Sequence, residues 1–273
     1  MWTLACTHAF SFETARLMSA VETISLALAA AAAGVINAVA GGGTLITFPV
    51  LLFFGTAPVV ANATSTLALV IGTAGSIFGF RRYYPVVRPW LSRFVPVSLL
   101  GGLIGSILLT CTSNETFTRL IPFLIFFATV LFFTQGAFRR FALVEAGEAA
   151  LHGRHIAIAI IFQFAVALYG GYFGAGIGIL MLASLGFIGL TDIHQMNALK
   201  NILGSLINLV AAVWFVMSGL IDWPKAGVMI GGAVGGYFLG AHFSQRIPRE
   251  WVRGVITAIG LAISIVTFWK QFR

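Results

Sequence analysis

Charged side chains are scarce in this chain: Asp, Glu, Lys and Arg make up 9% of its 273 residues. A soluble globular domain carries about 25%, so there is too little charge here to coat a water-facing surface. Cysteine is nearly absent. Cys6 and Cys111 show no partner spacing, so neither a metal site nor a disulfide framework is expected. Enzyme signatures are missing as well: there is no Gly-x-Ser-x-Gly, no His-Glu-x-x-His and no phosphate loop ending in Gly-Lys-Ser/Thr. The histidines (His8, His152, His155, His194, His242) are scattered without ligand spacing, mostly at the ends of apolar runs. No metal and no cofactor is expected from such a set. Residues 1–19 contain Glu13 and Arg16 and lack a positive–apolar–small-residue signal pattern, so they read as a short amphipathic lead-in.

What the chain has instead is apolar bulk. Hydrophobic residues are 59% of it, aromatic residues 13%, and the mean hydropathy is +0.99. Runs long enough for a bilayer recur from end to end, and the alternating segments of a transmembrane barrel are absent. The expectation is an all-α polytopic membrane protein. The net charge of +8 does not indicate a nucleic-acid partner, because the basic residues cluster in the gaps between runs. Arg81, Arg82, Arg88 and Arg93 fall in one gap, Arg139, Arg140 and Arg154 in another, Arg246, Arg249 and Arg253 in a third. That is the pattern of loops held at a cytoplasmic membrane face.

Apolar runs fall at 20–40, 44–55, 59–80, 93–111, 117–135, 155–174, 177–190, 193–217, 225–244 and 252–270. Eight of these suffice to cross a hydrocarbon core of ~30 Å. The runs 44–55 and 177–190, at roughly 18 and 21 Å of helix, are too short. Each directly follows a glycine cluster, Gly41-Gly42-Gly43 in the first half and Gly174-Ala175-Gly176-Ile177-Gly178 in the second. A shift of 135 residues aligns Gly41 with Gly176, Gly43 with Gly178, Thr56 with Thr191, Asn62-Ala63 with Asn197-Ala198, and Gly101 and Gly105 with Gly236 and Gly240. The chain therefore reads as a duplication: a first transmembrane repeat over 20–135, a cytoplasmic linker over 136–153, and a second repeat over 154–273. Counting Lys and Arg gives 10 inside against 5 outside if the repeats are inverted and 11 against 4 if they are parallel, so charge does not choose. Geometry favours inversion: the 20–40 run already spans, so the short segment after the glycines must return or dip.

Short, glycine-interrupted segments at matching places in two halves point to a transporter's binding site. Gly101, Gly105, Gly231, Gly232, Gly235, Gly236 and Gly240 read as close helix packing. Three consecutive glycines cost roughly 1 kcal/mol each in a helix interior, so Gly41–Gly43 reads as a real break. Its exposed amides and the following helix N-terminus would favour an anion. In the second half Asn197, Lys200, Asn201, Ser205 and Asn208 share a helix face, and the shift carries four of them onto Asn62, Ser65, Thr66 and Thr73. A polar seam between helices is the competing explanation. Lys200 tips the balance toward a site, because a cation well inside an apolar run costs at least ~2.5 kcal/mol unless paired or hydrated. Asp192 lies eight residues earlier, roughly 12 Å along a helix. The expected cargo is a small anion.

At these residues the sequence resembles the sulfite exporter TauE/SafE family. The resemblance rests on Gly34-Val-Ile-Asn-Ala-Val-Ala-Gly-Gly-Gly-Thr-Leu-Ile-Thr-Phe-Pro49 and on Leu51–Thr64 with Gly55, Pro58, Asn62 and Ala63, and it extends with the paired layout over 20–271. The second half repeats the motif more loosely, with Ser184 and Ile193 where Pro49 and Pro58 would recur. The resemblance implies export of sulfur-containing anions such as sulfite, sulfonates or sulfoacetate, and a multi-pass protein of the bacterial inner membrane. The expected site takes backbone amides from Gly41, Gly42, Gly43, Thr44, Gly176 and Gly178, neutralisation from Lys200, and orienting groups from Asn62, Thr64, Ser65, Asn197 and Asn201. An anion channel with the same lining is the alternative, and a membrane-embedded enzyme a weaker one for want of any acid–base pair inside the runs. The expected partners are the anion and the lipid bilayer, with a homo-oligomer left open.

Overall fold

The computed structural model describes residues 18–39, 42–79, 84–148, 153–186, 193–243 and 249–272. Among them the regular structure is helical: α1 (Ala20–Val39), α2 (Thr44–Phe53), α3 (Pro58–Gly79), α4 (Tyr84–Cys111), α5 (Asn114–Glu148), α6 (Gly153–Tyr172), α7 (Ile177–Gly186), α8 (Ile193–Met217), α9 (Trp223–Phe243) and α10 (Arg249–Phe272). Each apolar run has become one helix. Two helices overshoot their runs. Helix α4 starts at Tyr84, with Pro85 in its first turn, where a missing N–H costs nothing. Helix α5 continues to Glu148, because the polar stretch after 135 is rich in Ala, Arg, Leu and Glu and contains no proline. The span expected as a linker over 136–153 is thus helical as far as Glu148. Four helices are long and apolar enough to cross a membrane by length and composition: 20–38, 85–111, 114–134 and 195–217. This is an all-α polytopic membrane protein.

Helix starts carry local caps. Ser19 accepts the Glu22 amide at 3.1 Å, Ser113 accepts the Thr116 amide at 3.2 Å, and Asp222 Oδ1 accepts the Lys225 amide at 3.3 Å. Helices α1, α5 and α9 all begin at one end of the bundle, called the lower end here. Side-chain contacts give the directions. Backbone of α9 at Gly232, Gly236 and Gly240 rests on α1 at Ala27, Ala31 and Val35, a register that advances together, so α1 and α9 run the same way. A Cβ at any of these glycines would run into the facing backbone, so the seam needs them. Gly101 and Gly105 of α4 meet α6 in the same fashion, beside Ala167 and Leu168, and α4 and α6 also run the same way. Gly231 and Gly235, expected to serve packing, instead have nothing within 4 Å of a Cβ and face outward. They sit one position off the seam, on the lipid side.

Helix α2 folds back along α1. Gly43 lies beside Ala33 and Asn37, while Ser25, five residues into α1, lines one apolar groove with Val50 and Phe53. Helix α7 folds back along α6 in the same way, with Ile177 beside Gly170 and Ser184 Oγ donating to the Ala159 carbonyl at 3.2 Å. Both short helices therefore return rather than cross. Thr47 on α2 faces Ser65 on α3, which sends α3 upward again, and Asn114 Oδ1 accepts the Val59 amide at 3.1 Å where α4 has come down and α5 begins. It follows that α1 runs up, α4 and α6 run down, and α9 runs up.

Cys111, at the lower end of α4, is disulfide-bonded, and the only other cysteine of the chain is Cys6. This corrects the expectation drawn from spacing. Cys6 lies outside the described residues.

Candidate functional site

The two glycine breaks meet at one ring. Gly42 has φ +96° and lies against Phe132 of α5, so closely that a Cβ there would occupy the ring. Gly176 has φ +79°, and a Cβ there would lie 3.7 Å from the same ring and 3.5 Å from Leu131. Phe132 is fully buried. The N-termini of α2 and α7 thus begin on either side of Phe132, inside the bundle. Such irregular backbone survives at membrane depth only where protein buries it or a cavity borders it.

Each break is held by different side chains. At the first, the Gly43 amide donates to Asn37 Oδ1 at 2.7 Å, so one of the amides expected to face a ligand is already engaged. Thr47 Oγ1 lies 3.2 Å from the Gly43 carbonyl and shares a 2.6 Å hydrogen bond with Ser65. Thr47 and Ser65 are both fully buried. At the second break the Gly174 amide donates to the Tyr169 carbonyl at 3.2 Å, and Tyr169 OH donates to the Ala175 carbonyl at 2.8 Å. Gly174 takes φ +80°, which a glycine adopts without strain.

The polar residues of α3 and α8 close on these breaks unevenly. Asn62 is 1% exposed; its Nδ2 donates to the Tyr172 carbonyl at 3.1 Å, across to the second break, and its Oδ1 meets no partner among the described residues. Lys200 lays its methylenes over Gly178, where a Cβ would sit 3.4 Å from Cδ and 3.8 Å from Cε. Its ammonium, one bond beyond Cε, is therefore carried on the first turn of α7. Asn197 and Asn201 flank it, half-buried on the same helix, and Asn208 reaches the level of Gly174. Thr44 opens α2 half-buried. Thr64 goes elsewhere: its Oγ1 accepts the Asp222 amide at 3.1 Å and fixes the α8–α9 turn at the lower end. Gly41 lies outside the described residues. Thr66 and Thr73 donate to the Asn62 and Val70 carbonyls, bonds within their own helix.

Three features escaped the sequence reading. Asn37 stands inside the quoted motif as a lone amide in an alanine-rich helix, a signal that was available. Phe132 looks like any other lipid-facing aromatic in its run. Lys225 looks like a loop charge, yet its Nζ is 2.9 Å from Thr56 Oγ1, 3.2 Å from Glu22 Oε1 and 3.5 Å from Asp222 Oδ2, and its side chain is 14% exposed.

Among the described residues ten helices, two of them short and folded back, define a class, the polytopic membrane proteins. The chain belongs to the family described as Sulfite exporter TauE/SafE, whose model matches residues 26–267. A "Probable membrane transporter protein" of Haemophilus influenzae is 26% identical over 243 residues, covering 88% of this chain and 91% of that protein. "Probable membrane transporter protein YfcA" of Escherichia coli K12 is 24% identical over 238 residues, covering 85% and 84%. The Bacillus subtilis protein "Probable membrane transporter protein YunE" is 26% identical over 243 residues, covering 81% and 88%. No solved structure matches the chain.

Proposed function

We propose that this transporter exports a small anion, a sulfur oxyanion of the sulfite, sulfonate or sulfoacetate kind, across the bacterial inner membrane. The site lies between the N-termini of α2 and α7. One observation carries the reading: Lys200 rides on the first turn of α7, where the helix dipole is already positive. Two positive features stacked inside an apolar bundle favour an anion between them. Gly42, Gly43, Thr44, Gly176 and Gly178 contribute backbone. Ser65 on α3 bonds Thr47 in the first turn of α2, Asn62 bonds the Tyr172 carbonyl just before the second break, and Asn197 and Asn201 lie within one turn of Lys200 on α8. Sulfonate oxygens accept several hydrogen bonds and protonate poorly, so neutral donors around one cation suit them. The sulfur chemistry comes from the family; the charge comes from the site.

A two-repeat, inverted architecture supports alternating access. In favour of it, α1 with α9 and α6 with α4 form corresponding seams under the 135-residue shift, and α1 and α6 run in opposite senses. The test is a thermal-shift screen of the purified protein against sulfite, sulfoacetate, taurine, sulfate, phosphate and acetate. Stabilisation by sulfur oxyanions and not by acetate is expected. Equal response to all six, or to none, would sink the proposed cargo.

A further inference from the structure

The routes from the glycine breaks to the two ends of the bundle are built differently. Toward the lower end, Phe48 of α2, Phe117 of α5, and Tyr172 and Phe173 at the close of α6 form one cluster. Ring centroids lie 5.5 Å apart for Phe48–Phe173, 6.2 Å for Phe48–Phe117 and 5.7 Å for Phe117–Tyr172, all edge to face. Phe48, Phe117 and Phe173 are buried to 1% or less. Below them the Lys225 ammonium bridges Glu22, Thr56 and Asp222. Both layers straddle the two halves of the chain. Glu22, Thr56, Phe48 and Phe117 come from the first, and Asp222, Lys225, Tyr172 and Phe173 from the second.

In the other direction the corresponding positions hold residues of other kinds. The 135-residue shift pairs Phe48, Phe173 and Tyr172 with Ala183, Ala38 and Asn37, and pairs Glu22, Asp222 and Lys225 with Ala157, Val87 and Trp90. Small residues and an amide replace the rings, and apolar groups replace the charges. One observation gives the ends a side. Among the described residues helix directions put Arg88, Arg93, Arg139, Arg140, Arg154, Arg249 and Arg253 toward the upper end, against Arg119, Lys225 and Lys270 toward the lower, so the upper end is cytoplasmic.

We propose that the ring cluster and the Lys225 latch form the outer gate of this transporter. They seal the central site from the extracytoplasmic face and part when the two halves move. The gate rests on the central anion site proposed above, since it is that site which it closes. Lys225 is suited to a latch because one ammonium holds partners on α1, on the α2–α3 turn and at the residue that caps its own helix, so a relative shift of the halves breaks two contacts together.

The test uses Thr44→Cys, at the first residue of α2, as a reporter in full-length protein, with a membrane-impermeant maleimide applied to right-side-out or inside-out vesicles. The parent chain, treated in the same way, gives the background labelling. Labelling should be about tenfold or more faster from the cytoplasmic face, as for a minor outward-open state. Adding Lys225→Met should raise the outer rate about fivefold or more by populating that state. Phe117→Ala should do the same with every charge intact, which covers failure of Lys225→Met to fold. Equal rates from both faces in the reporter protein, or an unmoved outer rate in both folded gate variants, overturns the gate. The anion site is read separately, as slowing of Thr44→Cys labelling by sulfoacetate and not by acetate. Loss of that protection with the gate effects intact would defeat the anion and leave the gate standing.

Discussion

The two breaks solve one backbone problem with different side chains, and the difference assigns their roles. Around Gly42 and Gly43 every visible polar contact is neutral: Asn37 holds an amide, and Thr47 and Ser65 hold each other. Around Gly174 and Gly176 a tyrosine hydroxyl holds the chain, and the residue that the 135-residue shift places on Ser65 is Lys200. The first break is packed tightly against Phe132, whereas the second leaves room beside it. A rigid neutral wall thus faces a charged, roomier one. Under the proposed duplication, a unit that stayed symmetric would place either two lysines or none at the proposed site. Two like charges there would repel, and none would leave an anion without compensation.

The largest effect that would expose this contrast is on stability. Gly42→Ala meets two penalties, a positive φ that costs ~1–3 kcal/mol for a residue with a side chain and overpacking against Phe132 that adds ~1–3 kcal/mol. Gly176→Ala meets only the first, because its nearest neighbour would stand at 3.5 Å. Thermal unfolding in detergent should therefore show Gly42→Ala as the weaker protein by a wide margin. Equal losses would mean that the two breaks are packed alike.

Next comes the charge. Lys200→Met keeps an unbranched apolar chain over Gly178, with a thioether and a methyl in place of Cδ and Cε, and removes the ammonium. Anion binding should weaken by about 1.5–3 kcal/mol, roughly 10–150-fold, the value of a charge-assisted contact. Isothermal titration with sulfoacetate reads it. If affinity holds and the folded fraction collapses instead, Lys200 belongs to a structural seam. Asn37→Ala should give the opposite pattern. It strips the Gly43 amide of its acceptor in a buried setting, at ~1–3 kcal/mol of stability, while the positive end of α2 and Lys200 remain to bind.

How much of this was readable beforehand depends on the distance over which the information travels. The ten helices were legible because hydropathy reports each run locally, and the returning segments because three glycines and a short run sit side by side. Helix ends at Tyr84 and Glu148 were not, since hydropathy marks where lipid stops and helix propensity marks where the helix stops. The faces of α3 and α8 were legible from spacing, but their partners were not. Asn62 meets a carbonyl 110 positions away, and Lys225 meets a hydroxyl 169 positions away. Thr64 shares a helix with Asn62 and Ser65 two and one positions away, yet its hydroxyl serves the α8–α9 turn; no periodicity separates those duties.

The smallest effect is expected at Ser65, and it sharpens the comparison most. Ser65→Ala removes one buried hydrogen bond, but the Thr47 hydroxyl keeps the Gly43 carbonyl at 3.2 Å and so is not orphaned. The loss of stability should stay near 0.5–1.5 kcal/mol, about the net value of one hydrogen bond. If Ser65 also orients the anion, sulfoacetate affinity in the same variant should fall by a few-fold, well below the loss in Lys200→Met, because a neutral donor contributes about half of a charged one. The double variant decides between wall and ligand. Additive binding losses in Ser65→Ala/Lys200→Met place the two groups on separate parts of the anion. Loss of the Ser65 effect once Lys200 is gone would mean that the serine acts only on an anion the lysine has already drawn in. An unchanged affinity in Ser65→Ala confines Ser65 to the neutral wall, bonded to Thr47.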